Sequence, residues 1–250
     1  MPGSDLNSGE LPASGKWFAT THWTVVIGAA DSTAPGAQEA LEKLCRIYWF
    51  PLYAYVRRQG HSEEDAQDLT QEFFARFLQK EYLGRANRER GKFRTFLLTS
   101  LQNFLRHEWE KVRAQKRGGG RTPVPWDDEL AETNYRLEVS DQLTPDQIYE
   151  QRYAMALFRN ALARLQEESA AKGKSAQFEQ LKEFLSAEPG EGKYAEIASR
   201  LGMSSGAVAV AVHRLRQRYG ELVREEIAHT VTTPAEVEEE MRYLIKLIGG

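Results

Sequence analysis

Residues 194–219 read YAEIASRLGMSSGAVAVAVHRLRQRY, and this stretch shows the fold class most directly. Its apolar residues recur at spacings of three and four on both sides of Gly202, which is the spacing of two amphipathic helices. Gly202 permits a tight turn between them, and Ser204 offers its side-chain oxygen as the N-cap of the second helix. The pattern predicts a helix-turn-helix at about residues 194–219.

The same helical spacing recurs along most of the chain, and no segment shows the strict alternation that a half-buried strand needs. Apolar residues follow this spacing at 41–56, 69–78 and 93–105. Further helices are expected to begin after Thr144 and Thr233, because each is followed by proline and, three residues on, by Gln or Glu. This arrangement is a capping box. We therefore predict an all-α fold.

A break in the helical pattern divides the chain. Three glycines at 118–120 end the pattern, prolines follow, and residues 127–141 hold six acidic residues with Arg136 as their sole base. Such a segment is typical of a flexible linker. We predict two small helical domains with a C-terminal helical extension. The predicted segments are a disordered N-terminus at 1–19, a first domain at 20–117, an acidic linker at 118–143, a second domain at 144–228 and a C-terminal helix at 229–250.

Composition limits the class of protein. The chain has 250 residues, of which 41% are hydrophobic and 28% are charged, as in ordinary globular domains. The sequence shows neither a membrane span nor a secretory signal, so we expect a cytoplasmic protein with no membrane partner. The single cysteine, Cys45, rules out a disulfide framework and a cysteine-based zinc site, and we expect it to be a buried apolar thiol.

Patterns of catalytic residues are missing from the sequence. It has no phosphate-binding loop, no glycine-rich dinucleotide turn and no HExxH zinc motif, and its five histidines are scattered. Paired carboxylates occur only on helix faces that we expect to be exposed. We therefore expect a protein that is not an enzyme, with no catalytic residue, no bound metal and no cofactor.

Charge is segregated along the chain. The formal net charge of −3 by itself argues against a nucleic-acid partner. However, residues 85–94 hold five basic residues against one acidic residue, residues 106–121 hold six against two, and residues 204–219 hold no acidic residue. Residues 61–72 show the opposite, with five acidic residues and no Lys or Arg. The basic segments suit phosphate contacts, whereas the acidic segment suits a basic partner.

Two halves of the sequence resemble one known family. Residues 65–74 read DAQDLTQEFF, and FRTFL at 93–97 and NFL at 103–105 follow them. These segments resemble domain 2 of bacterial extracytoplasmic-function (ECF) sigma factors, and the helix-turn-helix resembles their domain 4. The resemblance covers about residues 38–226. It implies a factor that binds core RNA polymerase, recognises the −10 and −35 promoter elements and helps to open the DNA.

The resemblance assigns three groups of site residues and several partners. The implied partners are the β′ clamp helices and β flap tip of core RNA polymerase, promoter DNA and, as a further candidate, an anti-sigma factor. Docking on the clamp helices is assigned to Asp65, Asp68, Gln71 and Glu72. Contact with the −10 region is assigned to Asn87, Arg88, Lys92, Arg94, Gln102, Asn103, Arg106, Arg113, Lys116 and Arg117. Contact with the −35 region is assigned to Ser204, Ser205, Gly206, Ala209, His213, Arg214 and Arg216.

Some features depart from this assignment or leave it open. Ala209 and Val210 stand where many relatives have a basic residue, so the −35 specificity stays open. Trp109 can stack on an unpaired base, but on an amphipathic helix it fits a core position better. Two rival interpretations remain: a helix-turn-helix regulator that does not bind core polymerase, and an interaction protein that has lost DNA binding. The acidic segment and the basic loop together favour the sigma factor.

Overall fold

The computed structural model describes residues 37–78, 92–114, 143–186, 192–231 and 233–249. Within these ranges every regular element is a helix and no strand occurs, which confirms the predicted all-α fold. The predicted disordered N-terminus and the predicted linker, apart from Leu143, lie outside the described residues. The elements are α1 (Ala37–Arg58), α2 (Glu63–Phe77), α3 (Phe93–Ala114), α4 (Pro145–Ala171), α5 (Ser175–Leu181), a 3₁₀ helix (Lys182–Leu185), α6 (Lys193–Leu201), α7 (Ser205–Ala228) and α8 (Pro234–Gly249).

The predicted caps set the starts of two of these helices. The Thr144 hydroxyl accepts a hydrogen bond from the Gln147 backbone N–H at 3.3 Å, and the Gln147 side chain accepts one from the Thr144 N–H at 2.9 Å. This is the predicted capping box. Ser204 caps α7 in the same way by accepting from the Ala207 N–H at 3.2 Å. Gly202 ends α6 with φ of 64°, in the left-handed region that favours glycine.

The main core surrounds α1. Its buried side chains pack against α2, α3 and α4, and α4 makes the most extensive contact with it. Tyr48 lies at the centre, with its ring edge-on to Phe93 of α3 at 5.5 Å and stacked on Tyr153 of α4 at 5.3 Å between centroids. The second half of α7 and the apolar face of α8 complete this core through Leu222, Ile227, Val237 and Leu244. Cys45 is buried here, as expected.

A smaller core holds the helix-turn-helix together. Ile197 and Ala198 of α6 face Val208 and Val212 of α7 across the turn, and Leu181 and Phe184 close the cluster. These contacts are those that the apolar spacing around Gly202 predicts. The predicted boundary between residues 143 and 144 separates helices that share the main core, because Tyr149, Tyr153 and Leu157 give α4 an apolar face that packs on α1.

We predict that Leu157→Ala lowers the free energy of unfolding by about 3 kcal/mol, because it removes a fully buried side chain and leaves a cavity in the core. Since α1 and α4 share this core, amide hydrogen exchange should speed up in 44–56 as well as in α4. Urea denaturation and exchange mass spectrometry measure both effects. Glu167→Ala, at an exposed position on α4, is the control. Faster exchange confined to residues 145–228 would contradict a shared core.

Candidate functional site

The acidic segment of the sequence forms an exposed face of α2. Asp65 and Asp68 are exposed and Gln71 and Glu72 are half-buried, so all four predicted polymerase contacts reach the surface. The Asp65 carboxylate accepts a hydrogen bond from the Ser62 hydroxyl at 2.7 Å. Acidic residues in the first turn also suit the positive end of the helix dipole. We call Asp65, Asp68, Gln71 and Glu72 the acidic stripe.

Arg76 links the C-terminal end of the acidic stripe to α3. Arg76 pairs with Glu72 on its own helix and, at 2.6 Å, with Glu108 of α3, while its guanidinium lies 5.1 Å from the centre of the Phe104 ring. Burial raises the pKa of the Glu108 carboxyl, but hydrogen bonds from Lys111 and Arg76 outweigh burial and lower it below its usual value. The pair therefore remains ionised at neutral pH and fixes α2 against α3.

A groove of about 580 Å³ runs between α2 and α3. It brings Asp65 and Asp68 of the acidic stripe beside Gln102 and Arg106, which the sequence assigned to the −10 region. The two predicted surfaces therefore meet at one groove. Trp109 also lines it and is 57% exposed, so the expectation of a core position was wrong. The apolar spacing of α3 predicts its buried face but does not show that Trp109 lies outside that face.

The solvent face of α3 carries three different side chains in one row. Asn103, Arg106 and Trp109 follow each other at intervals of three residues and are all exposed. Gln102, beside them, is half-buried, and its amide donates to the Tyr55 hydroxyl at 3.1 Å and to Asp146 at 3.3 Å. Of these four side chains, the row from Asn103 to Trp109 is therefore the part that faces solvent.

Two predicted −10 contacts at the start of α3 face other helices. Arg94 is buried, and its Nε donates to Glu150 of α4 at 2.8 Å while its Nη1 contacts Glu240 of α8. Lys92, which is half-buried, contacts the same Glu240. Burial lowers the pKa of Arg94, but the acidic groups around it, Glu240 among them, raise it above its ordinary value. Both carboxylates therefore face a charged guanidinium.

The structure describes no side chain for the other five predicted −10 contacts. Asn87, Arg88, Lys116 and Arg117 lie outside the described residues. Arg113 belongs to α3, but its side chain is also outside what the structure describes. These five residues stay predictions.

The exposed face of α7 only partly matches the predicted −35 contacts. Ser204, Ser205, Gly206, His213 and Arg214 are exposed, whereas Ala209 and Arg216 are half-buried. The Arg216 Nε donates to the Phe184 carbonyl at 2.7 Å, so this side chain ties α7 to the 3₁₀ helix. Val210, which is 50% exposed, and Gln217 lie on the outer face and were not assigned from the sequence. Val210 lies four residues after Gly206, and Gln217 lies three residues after Arg214. Residues at these spacings share a helix face, so the spacing could have indicated both.

Within the described ranges, no three His, Cys, Asp or Glu side chains are grouped so that they could hold a metal ion. None of the helices described is long and apolar enough to cross a bilayer.

Comparison with known families gives one match. Residues 51–115 match the family model for sigma-70 region 2. No curated protein and no solved structure gives a match. The matched segment runs from the middle of α1 to the end of α3, so it includes both the acidic stripe and the exposed row of α3. The match covers about a quarter of the chain and makes the segment that forms these two surfaces similar to sigma-70 region 2.

We predict that Arg76→Ala lowers the free energy of unfolding by about 1 kcal/mol at pH 7, because it breaks the link between α2 and α3. The low pKa of Glu108 makes its share of the stability present above the unfolded pKa of about 4.3 and lost as the pH falls through the folded pKa. The difference between wild type and variant should therefore shrink in acid.

Urea denaturation at neutral pH and at about pH 3 measures this difference. Arg46→Ala, at an exposed position on α1, is the control. A difference that stays constant or grows in acid would contradict the assigned role of the Arg76–Glu108 pair.

Proposed function

We propose that this protein is a sigma factor of the ECF type, which binds core RNA polymerase, recognises −10 and −35 promoter elements and promotes DNA opening in the cytoplasm without being an enzyme. The observation that carries this proposal is the sigma-70 region 2 match at 51–115. The matched segment presents an acidic face on α2 and a row of DNA-compatible side chains on α3. An ordinary regulator has no evident use for both.

The acidic stripe supports a basic protein partner. Asp65 and Asp68 are exposed like charges three residues apart on one helix, which costs stability when nothing compensates them. Docking on basic residues of the β′ clamp helices would remove that cost and steer association. Gln71 and Glu72 extend the same contact in the proposal, and the helix-turn-helix domain would meet the β flap tip.

The exposed row of α3 supports contact with opened DNA. The Asn103 amide can bond base edges, and the Arg106 guanidinium can bind a phosphate. The Trp109 indole is 57% exposed, and an unpaired base can stack on an exposed aromatic ring. These three chemistries together suit a strand whose bases have left the duplex. Gln102, Lys92, Arg94 and the five predicted residues without a described side chain complete the proposed −10 set.

The outer face of α7 supports contact with duplex DNA. His213 and Arg214 can bond phosphates or base edges, and the exposed Val210 can contact a thymine methyl group. Ser204, Ser205 and Gly206 place the N-terminus of α7 nearest the DNA in the proposal, as in other helix-turn-helix proteins. Ala209 and Arg216, being half-buried, contribute less.

Simultaneous use of both surfaces requires the two halves to separate. Elements two helical turns apart on DNA are about 70 Å from each other. In the structure α7, with 24 residues and thus about 36 Å long, has its far end in the same core as α1. Residues 118–145 can span about 90 Å when extended. The proposal therefore includes departure of α4 and α7 from α1 on polymerase.

We predict that the double variant Asp65→Lys/Asp68→Lys lowers affinity for core RNA polymerase at least about tenfold, because it reverses the charge of the acidic stripe. Copurification and competition binding with core polymerase measure the loss, and circular dichroism checks the fold. Glu167→Lys, at an exposed position on α4, is the matched control. Unchanged affinity would count against the docking surface.

The proposal itself is tested by run-off transcription with core polymerase on a genomic promoter library. Start sites that depend on the protein are expected. A chain that binds promoter duplex alone but neither copurifies with core nor directs transcription would be a regulator instead.

We predict that Arg214→Ala weakens binding to −35 duplex and lowers its salt slope by about 0.9, the value of one phosphate contact. Because Arg216 is tied to the Phe184 carbonyl, Arg216→Ala should instead lower the melting temperature and leave the salt slope nearly unchanged. Salt titrations of duplex binding and thermal melts separate the two effects. Equal salt slopes for Arg214→Ala and wild type would contradict the assignment of this face.

A further inference from the structure

Two basic side chains at the start of α3 are occupied by one carboxylate of α8. Glu240 is completely buried, and its two oxygens contact the Arg94 guanidinium and the Lys92 ammonium. Glu150 of α4 holds the other side of Arg94 at 2.8 Å. These contacts join three helices that are far apart in the sequence.

An aromatic ring covers the same two cations. Tyr243, nearly one turn beyond Glu240 on α8, places its ring 5.1 Å from the Arg94 guanidinium and 5.7 Å from the Lys92 ammonium. Val237 and Leu244, on the same side of α8, are buried in the main core. An exposed pair between Arg224 and Glu238 at 2.6 Å fastens α8 to α7. The helix therefore covers the beginning of α3.

The chemistry of this contact resembles that of a nucleic-acid contact. A carboxylate that accepts from a guanidinium and an ammonium offers them what a phosphate would offer, and an aromatic ring beside them offers what a base would offer. A buried ion pair is a poor way to add stability, because well-packed apolar side chains usually serve equally well. The contact is better explained by competition for the cations.

We propose that α8 is an autoinhibitory helix, in which Glu240 and Tyr243 occupy the Lys92 and Arg94 side chains and keep single-stranded DNA from the start of α3. The identity of that DNA as an opened −10 strand rests on the proposed function. The occlusion itself does not, because it concerns the free chain and any single strand. DNA binds when α8 leaves this position, and binding in turn displaces α8.

The test compares the full chain with Glu240→Gln in binding a fluorescent oligo(dT) strand over a range of salt concentrations. Loss of the carboxylate charge should release Lys92, whereas Glu150 still holds Arg94, so the affinity should rise several-fold. The salt slope should steepen by about 0.7, the value of one new phosphate contact on a single strand. Glu239→Gln, an exposed glutamate next to it, is the matched control and should behave as wild type. An unchanged slope in a folded Glu240→Gln would overturn the proposal.

A second variant shows whether Lys92 is the cation responsible. Adding Lys92→Gln to Glu240→Gln should remove the gain in slope, because the released charge is then missing. A gain that survives this change would arise from general loosening of the fold and would contradict the proposal.

Amide hydrogen exchange of the wild-type chain gives a further test. Saturating oligo(dT) should accelerate amide hydrogen exchange across 234–249, because DNA and α8 compete for one place. Exchange that is unchanged or slower with DNA bound would also overturn the proposal. Both tests use the chain without polymerase, so their outcome does not depend on the run-off assay. A protein that directs transcription but fails both tests would be a sigma factor in which α8 does not inhibit DNA binding.

Discussion

The contact of Tyr48 with α3 and α4 is the one on which the rest of the described structure depends. Its ring is edge-on to Phe93 and stacked on Tyr153, and all three rings are buried. Because Phe93 is the first residue of α3, this contact holds the start of that helix against α1. Arg94, the next residue, is thereby placed among Glu150 and the acidic and aromatic side chains of α8.

The net charge of −3 conceals the arrangement that matters for function. α2 presents acidic side chains to solvent, and the neighbouring α3 presents Asn103, Arg106 and Trp109. The two surfaces keep their positions only while α2 and α3 stay fixed against each other. The contact of Phe73 with Phe104 and the partly buried Arg76–Glu108 pair both contribute to this. Such charges are screened by salt less than exposed ones are.

The sequence predicted the elements well but not their partners. The apolar spacing predicted the helices, and the capping residues Thr144 and Ser204 predicted where α4 and α7 begin. Both starts could be predicted because capping depends only on residues that are close in the sequence. An apolar stripe shows that a face is buried but not against which helix, so the packing of Tyr149 and Tyr153 on α1 could not be read from it. Glu240 did carry a signal: it lies three residues after Val237 and four before Leu244, so it is a charge within an apolar stripe. Such a charge predicts a buried ion pair.

The buried position of Glu240 also sets how strongly α8 could control DNA binding. A strand that binds only the released form has its affinity reduced by the fraction of molecules in which α8 is released. That fraction depends on everything that holds α8 in place, including the apolar side chains of Val237 and Leu244 and the exposed Arg224–Glu238 pair. Contacts that never meet DNA would therefore adjust the response to it. Polymerase could relieve the inhibition only by binding the released form better than the closed one. Departure of α4 and α7 from α1 would do so, because Glu150 leaves Arg94 with α4, and α8, which packs on both helices, leaves Lys92 and Arg94 with them.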